Sequence, residues 1–206
     1  MKNMKMKNVK INLLATAIVV AGLISCGKEE VPAPPPTSPI SVTDSVQAAF
    51  SPQGDFTYFN FKNNAIVPAT DSNSTNWDFA FRYVNIIVNS HASGPGNAGV
   101  ITETGIYDDF KMAPESGYAY DTTSTKTAIN ANYGDPNAWY LYDNTVHNLT
   151  PVAGKFFVFR TSDNHYVKME ILSVTTDVPF TNPTPPTSIW YKFRYTYQPD
   201  GTTNLQ

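Results

Sequence analysis

The chain has 206 residues, with fourteen Lys and Arg against seventeen Asp and Glu, three His and one Cys. The basic residues do not cluster outside the first ten positions, so composition excludes nucleic acid as a partner. A lone cysteine excludes a disulfide framework, a CxxC redox pair and a thiolate zinc set, so stability has to come from burial.

Lys2, Lys5, Lys7 and Lys10 precede an apolar stretch from Ile11 to Ile24, too short for a comfortable membrane span but suited to a secretory signal. It closes on Leu23-Ile24-Ser25-Cys26-Gly27, which resembles a bacterial lipobox, where the thiol is diacylated and the chain is cut before it. An ordinary signal peptide that ends near a cysteine is the alternative, but it leaves one free thiol in a secreted chain unexplained. Residues 1–25 are therefore predicted to be a lipoprotein signal peptide and Cys26 the lipidation site, with two acyl chains as the membrane contact. Gly27-Lys28-Glu29-Glu30 resembles an export tag of surface-exposed lipoproteins, although plain linker charges would look the same. The expected location is the outer membrane, lipid-anchored and facing the cell surface. Val31 to Pro39 is a proline-stiffened spacer, so residues 26–40 read as linker and residues 41–206 as one domain. The chain after the signal keeps ten basic and seventeen acidic residues, a net charge of −7.

The rest reads as all-β: aromatics are abundant, Gly and Pro punctuate short segments, and no stretch sustains a helical apolar period. Asp55 to Lys62, Trp77 to Asn89 and Ala138 to Tyr142 are predicted strands, with Pro68 to Asn76 a polar turn. Trp77, Phe79 and Phe81 alternate as one buried face would, with Asp78 and Ala80 opposite. Gly94, Gly96 and Gly99 fit a turn that brings the backbone close to a neighbour. That loop lacks the Lys-Ser/Thr ending of a phosphate-binding loop. Lys155 to Thr161 and His165 to Ser173 flank Ser162-Asp163-Asn164, a hairpin turn in which Asp and Asn tolerate positive φ. In the final strand Ile189, Tyr191, Phe193, Tyr195 and Tyr197 share the core face, while Trp190, Lys192, Arg194 and Thr196 take the other.

Asn76-Trp77-Asp78-Phe79-Ala80-Phe81-Arg82, then Ile86-Ile87-Val88-Asn89, then Ser93-Gly94-Pro95-Gly96-Asn97-Ala98-Gly99, resemble the signature of the HmuY family of haem-binding lipoproteins of Bacteroidota. Pro114 to Tyr118, Pro151 to Phe159, Asn164 to Ser173 and Tyr191 to Tyr197 are similar to its later segments in the same order. The likeness runs from Asp55 to Pro199 and implies a single antiparallel β domain of the HmuY-like type. It also implies haem as cofactor or cargo and an outer-membrane haem receptor as partner. In founding members of the family two axial histidines hold the iron, and neither carries over residue by residue. The stretch from Asp121 to Trp139 is shorter than the family's haem-binding version and holds no His or Met, leaving Tyr133 as its one oxygen ligand.

Imidazole, thioether and phenolate are the groups haem iron takes, so the candidates are His147, Tyr133 and Met112. His147 lies in a polar turn, where it is either a ligand or a turn histidine bonded to its own backbone. Met112 precedes a proline-bounded loop, while Met169 alternates with Val167 and Ile171 and reads as core. His91 falls in the glycine loop and His165 beside the hairpin turn, where structural roles suffice. No G-x-S-x-G, H-E-x-x-H or Walker pattern is present, and Asp108-Asp109 reads as a solvated turn rather than a glycosidase pair. The sequence therefore points to no enzyme. It points to a surface-anchored haem-binding carrier, or alternatively to a binding module of the same fold that ligates no haem and takes another small ligand or protein.

Overall fold

The computed structural model describes residues 37–179 and 183–206. The signal segment, Cys26 and most of the proline-rich linker lie outside the described residues. Among the described residues eleven strands carry the fold, beginning with β1 (Ile40–Ala49), β2 (Thr57–Asn60), β3 (Ala65–Val67), β4 (Phe79–Arg82), β5 (Asn85–Val88) and β6 (Gly99–Thr104). They continue with β7 (Tyr140–Asp143), β8 (Asn148–Pro151), β9 (Lys155–Arg160), β10 (Tyr166–Thr176) and β11 (Ser188–Gln198). One sheet runs β1-β11-β10-β9-β6, a second runs β3-β2-β4-β5, and β7 and β8 form a ribbon of their own; every pairing is antiparallel. The all-β reading of the sequence therefore holds, and Pro36–Gln206 make up one compact unit with its own core.

The core lies between the two sheets because period-two alternation puts one aromatic row of each inward. Tyr191, Phe193, Tyr195 and Tyr197 of β11 are fully buried with Ile189, as their spacing predicts. Across the gap Phe81 stacks on Tyr191 at 4.0 Å, Phe59 meets Phe193 at 5.4 Å and Phe61 meets Tyr195 at 5.0 Å. Aromatic pairs at such distances add roughly 0.5–1.5 kcal/mol beyond their buried area. The other face of β9 and β10 is not bare: Phe156 and Val158 join Tyr107, Ala113, Tyr118 and Leu205 in a second cluster. There Lys168 is buried and donates to the carbonyls of Tyr107 and Phe110 at 3.0 and 2.7 Å.

Two sequence expectations need correction. Trp77 to Asn89 is a hairpin and not a strand, since β4 and β5 pair with each other around Tyr83 at φ +49°. Trp77 also lies off the Phe79 and Phe81 face; it sits before the strand begins and packs on the outer side with Ala80 and Ile87. The hairpin of β9 and β10 forms as expected, with Asn164 at φ +63° in its turn. Strands β1, β3, β6 and β8 were not among the predicted elements.

Buried polar groups tie the elements together. Asp78 accepts from the amides of Phe61 at 2.9 Å and Ser162 at 3.2 Å, linking the two sheets, and burial pushes its carboxyl up to about 6. Asn89 donates to the carbonyls of Trp77 and Ser74 and accepts from Gly96 N at 2.8 Å. At Gly96 a Cβ would lie 2.7 Å from the Asn89 carbonyl and from Ser162 Oγ, so no other residue fits there.

Candidate functional site

The ribbon of β7 and β8 packs on β10, buries Tyr140 and Leu149 in the main core, and forms one wall of a cavity. Its register pairs Tyr140 with Pro151, Leu141 with Thr150, Tyr142 with Leu149 and Asp143 with Asn148. Asp143 Oδ1 closes the turn by accepting from Thr145 N at 2.7 Å, and these amides hold its carboxyl below the usual carboxylate range. The turn ends on His147 at φ +50°, a left-handed conformation that a side chain with a Cβ adopts at a cost of roughly 1–2 kcal/mol.

The base of the ribbon is fixed. Trp139 Nε1 donates to the Val84 carbonyl at 2.8 Å, and Lys155 Nζ donates to the carbonyls of Asn137 and Ala138. Buried Asp121 pins the preceding loop to the second sheet, accepting from Val88 N at 2.9 Å and Ala128 N at 2.7 Å. Beyond these anchors the ribbon is open to solvent, with Leu141, Val146 and the facing Tyr133 all about 60 % exposed.

Between the ribbon, the turn of β4 and β5 and the loop through Tyr133 lies a cavity of about 540 Å³. That volume is within the range of small-molecule sites, roughly 300–1,000 Å³. Its walls carry four tyrosines, Tyr83, Tyr133, Tyr140 and Tyr142, with Asn85, Asn132 and Asn144 at their edges, and no Lys or Arg. Tyr140 donates to the Ala131 carbonyl at 3.2 Å, and Asn144 Nδ2 donates to Tyr133 Oη at 2.5 Å. Burial raises the Tyr83 and Tyr140 phenols, and raises most the fully buried Tyr191, whose hydroxyl makes no hydrogen bond. A neighbouring groove of about 490 Å³ is lined by Val146, His147, Leu149 and Val174. The ribbon separates the two, with Leu149 common to both.

Of the three ligand candidates the structure brings two to this end of the molecule. Tyr133 lines the cavity; His147 sits behind it and bonds through Nδ1 to Tyr142 Oη at 2.8 Å. Met112 lies apart, exposed and bridged to Asn204 near the C-terminus. His91 is exposed beside Tyr120, and His165 bonds its Nε2 to the Pro199 carbonyl and faces Asp163 at 3.0 Å. Sequence reasoning did not single out Tyr142 or Tyr83. The first sits in a strand whose alternation marks it only as apolar, and the second in a turn with no Gly or Asn to announce it. Among the described residues no group of three or more His, Cys, Asp or Glu is placed to hold a metal ion, and no helix is long and apolar enough to cross a membrane.

These features define an antiparallel β-protein with a tyrosine-walled cavity of small-molecule size at one end. The chain belongs to the HmuY family, whose model matches residues 53–195. Solved structures with a similar fold include an HmuY-like protein from Bacteroides vulgatus, with 16% identity, 76% of this chain and 92% of that one covered, and a TM-score of 0.45. The apo HmuY analogue of Tannerella forsythia has 14% identity, coverage of 78% and 97%, and a TM-score of 0.48. Apo PinO from Porphyromonas gingivitis has 11% identity, coverage of 76% and 97%, and a TM-score of 0.44. No curated protein matches the sequence.

Proposed function

We propose that this protein is a lipid-anchored carrier on the outer membrane that binds haem in the tyrosine-walled cavity and passes it to an outer-membrane receptor. The observation that carries the reading is the cavity itself: flat aromatic walls, amide edges and an imidazole–phenol pair at one side, in a member of the HmuY family. Aromatic walls suit the porphyrin faces, and His147, Tyr133 and Tyr142 supply the groups that iron takes. Met112 does not line this cavity. No Lys or Arg lines the cavity, so Asn85, Asn132 and Asn144 would be the side chains that donate to the propionates.

The uncharged lining also favours a second reading, a module of the same fold that takes a neutral ring ligand without ligating haem. Haemin titrated into the domain from Thr37 onward separates the two. The carrier reading expects a sharpened, shifted Soret band that changes in His147→Ala and not in His165→Ala. A titration like that of an unrelated acidic β-protein rules out the carrier and leaves the second reading.

The anchor has its own test. Cys26→Ala is expected to leave the domain folded and either release it from membranes or block processing, as blots of membrane and soluble fractions would report. Equal membrane retention of both forms refutes lipidation at Cys26.

A further inference from the structure

We propose that the cleft between the loop of residues 72–76 and the glycine loop of residues 91–96 binds a neutral saccharide. The cleft shares no lining residue with the tyrosine-walled cavity, so this goes beyond the haem reading without depending on it.

The cleft has a volume of about 400 Å³, inside the roughly 300–1,000 Å³ of small-molecule sites. Tyr58 of β2 lines it, with Ser72 and Asn73 from the first loop and His91 and Ser93 from the second. Buried side chains fix both loops. Trp77 Nε1 donates to the Ser72 carbonyl at 2.9 Å, and Asn89 Nδ2 donates to that of Ser74 at 2.9 Å. Asn89 also accepts from Gly96 N at 2.8 Å, so one fully buried amide ties the two loops together. A Cβ at Gly94 would lie 2.6 Å from the Trp77 ring, so only glycine lets this loop come so close to the indole. A ligand here meets a shape already made, and little ordering of the chain opposes its binding.

The chemistry of the lining names the class. No Lys, Arg, Asp or Glu lines the cleft, so an ionic ligand would leave its charge unpaired. The one imidazole, His91, is exposed, where water and salt screen any charge it carries. Nor is the glycine loop a phosphate cradle, because the amides of Ala92, Ser93 and Gly96 are already given to Asp121, Ser90 and Asn89. An apolar ligand is as poorly matched, since five of the eight lining residues carry a hydroxyl, an amide or an imidazole. Among the described residues, the hydroxyls of Tyr58 and Ser72, the Asn73 amide and the His91 ring nitrogens make no hydrogen bond to the protein. They bring donors and acceptors into one cleft. A sugar hydroxyl is donor and acceptor at once, and a pyranose repeats it around the ring. The half-buried ring of Tyr58, set edge-on to Trp77 at 4.8 Å, offers an apolar surface for the C–H face of that pyranose.

The test is saturation-transfer difference NMR on the domain from Thr37 onward, with maltose, cellobiose and lactose as neutral probes and galacturonate and glucosamine as charged ones. At least one neutral disaccharide is expected to receive saturation, more strongly than either charged sugar. Asn73→Ala and His91→Gly are each expected to weaken its binding by about tenfold, the size of one lost hydrogen bond. Both positions are exposed, and glycine suits position 91, where φ is +46°, so circular dichroism should stay unchanged. A wild type that transfers saturation to none of the three disaccharides overturns the proposal. So does binding undiminished in both variants, which would put the sugar elsewhere on the surface, and so does a preference for a charged sugar.

Discussion

Phe193→Asp is expected to unfold the domain. Phe193 is fully buried at the centre of β11, edge-on to Phe59 at 5.4 Å and within 6.0 Å of Phe79 and Phe81. Emptying such a site costs about 3–5 kcal/mol. A buried carboxylate with no partner adds several more, and the sum rivals the roughly 5–15 kcal/mol that holds a domain together. Urea titration followed by near-ultraviolet circular dichroism should show no cooperative transition. Arg194→Ala, one position along, should lower stability by only about 1 kcal/mol. Its side chain is a third exposed, and salt screens its pairing with Glu170 at 2.8 Å and Asp108 at 3.3 Å. A cooperative Phe193→Asp beside an unfolded Arg194→Ala would mean that the strand's faces have been assigned the wrong way round.

The second large effect is a dependence of stability on pH that traces to Asp78. Burial is the first cause of its rise to about 6, only partly opposed by the amides of Phe61 and Ser162, which favour the charged form. The folded protein therefore binds this proton more tightly than the unfolded chain, whose carboxyl titrates near 3.8. Its contribution to stability is fully present below that value and is lost as pH rises through about 6. A shift of this size is worth about 3 kcal/mol. Other carboxyls move in both directions, so the effect is read as a difference: the urea-midpoint gap between wild type and Asp78→Asn should be wide near pH 4 and narrow by about that much at pH 7. A gap that does not change with pH would show that Asp78 does not titrate in this window.

How much of this was legible in the sequence depended on whether local pattern or distant contacts decide the structure. The β11 faces were legible because five alternating apolar side chains admit one register. The turn at Asp163-Asn164 was legible because those residues tolerate positive φ. Strand β1 was not: Asp44 interrupts its apolar alternation, and it is a strand because all ten of its residues pair with β11. Trp77 misled because alternation continues through it, although the strand starts only at Phe79 and Asp78 turns inward to accept amides from two other segments. At the site, Tyr133 and His147 stood out as residue types that bind iron, but nothing in the chain order brings Tyr142 Oη to His147 Nδ1. That contact exists because the β7 and β8 register places position 142 opposite 149, and the turn then carries 147 back over it.

The ribbon of β7 and β8 shares no backbone ladder with either large sheet. Gly96 and Asn89 interlock so tightly that almost any exchange there is a defect, whereas Leu141, Val146 and Tyr133 are bounded by water. Exchanges at Gly96 and Asn89 thus disturb the fold, whereas exchanges at the exposed positions Leu141, Val146 and Tyr133 leave it standing. Descendants of such a scaffold can remake this edge of the surface through a handful of substitutions at positions already bounded by water, without passing through an unfolded ancestor.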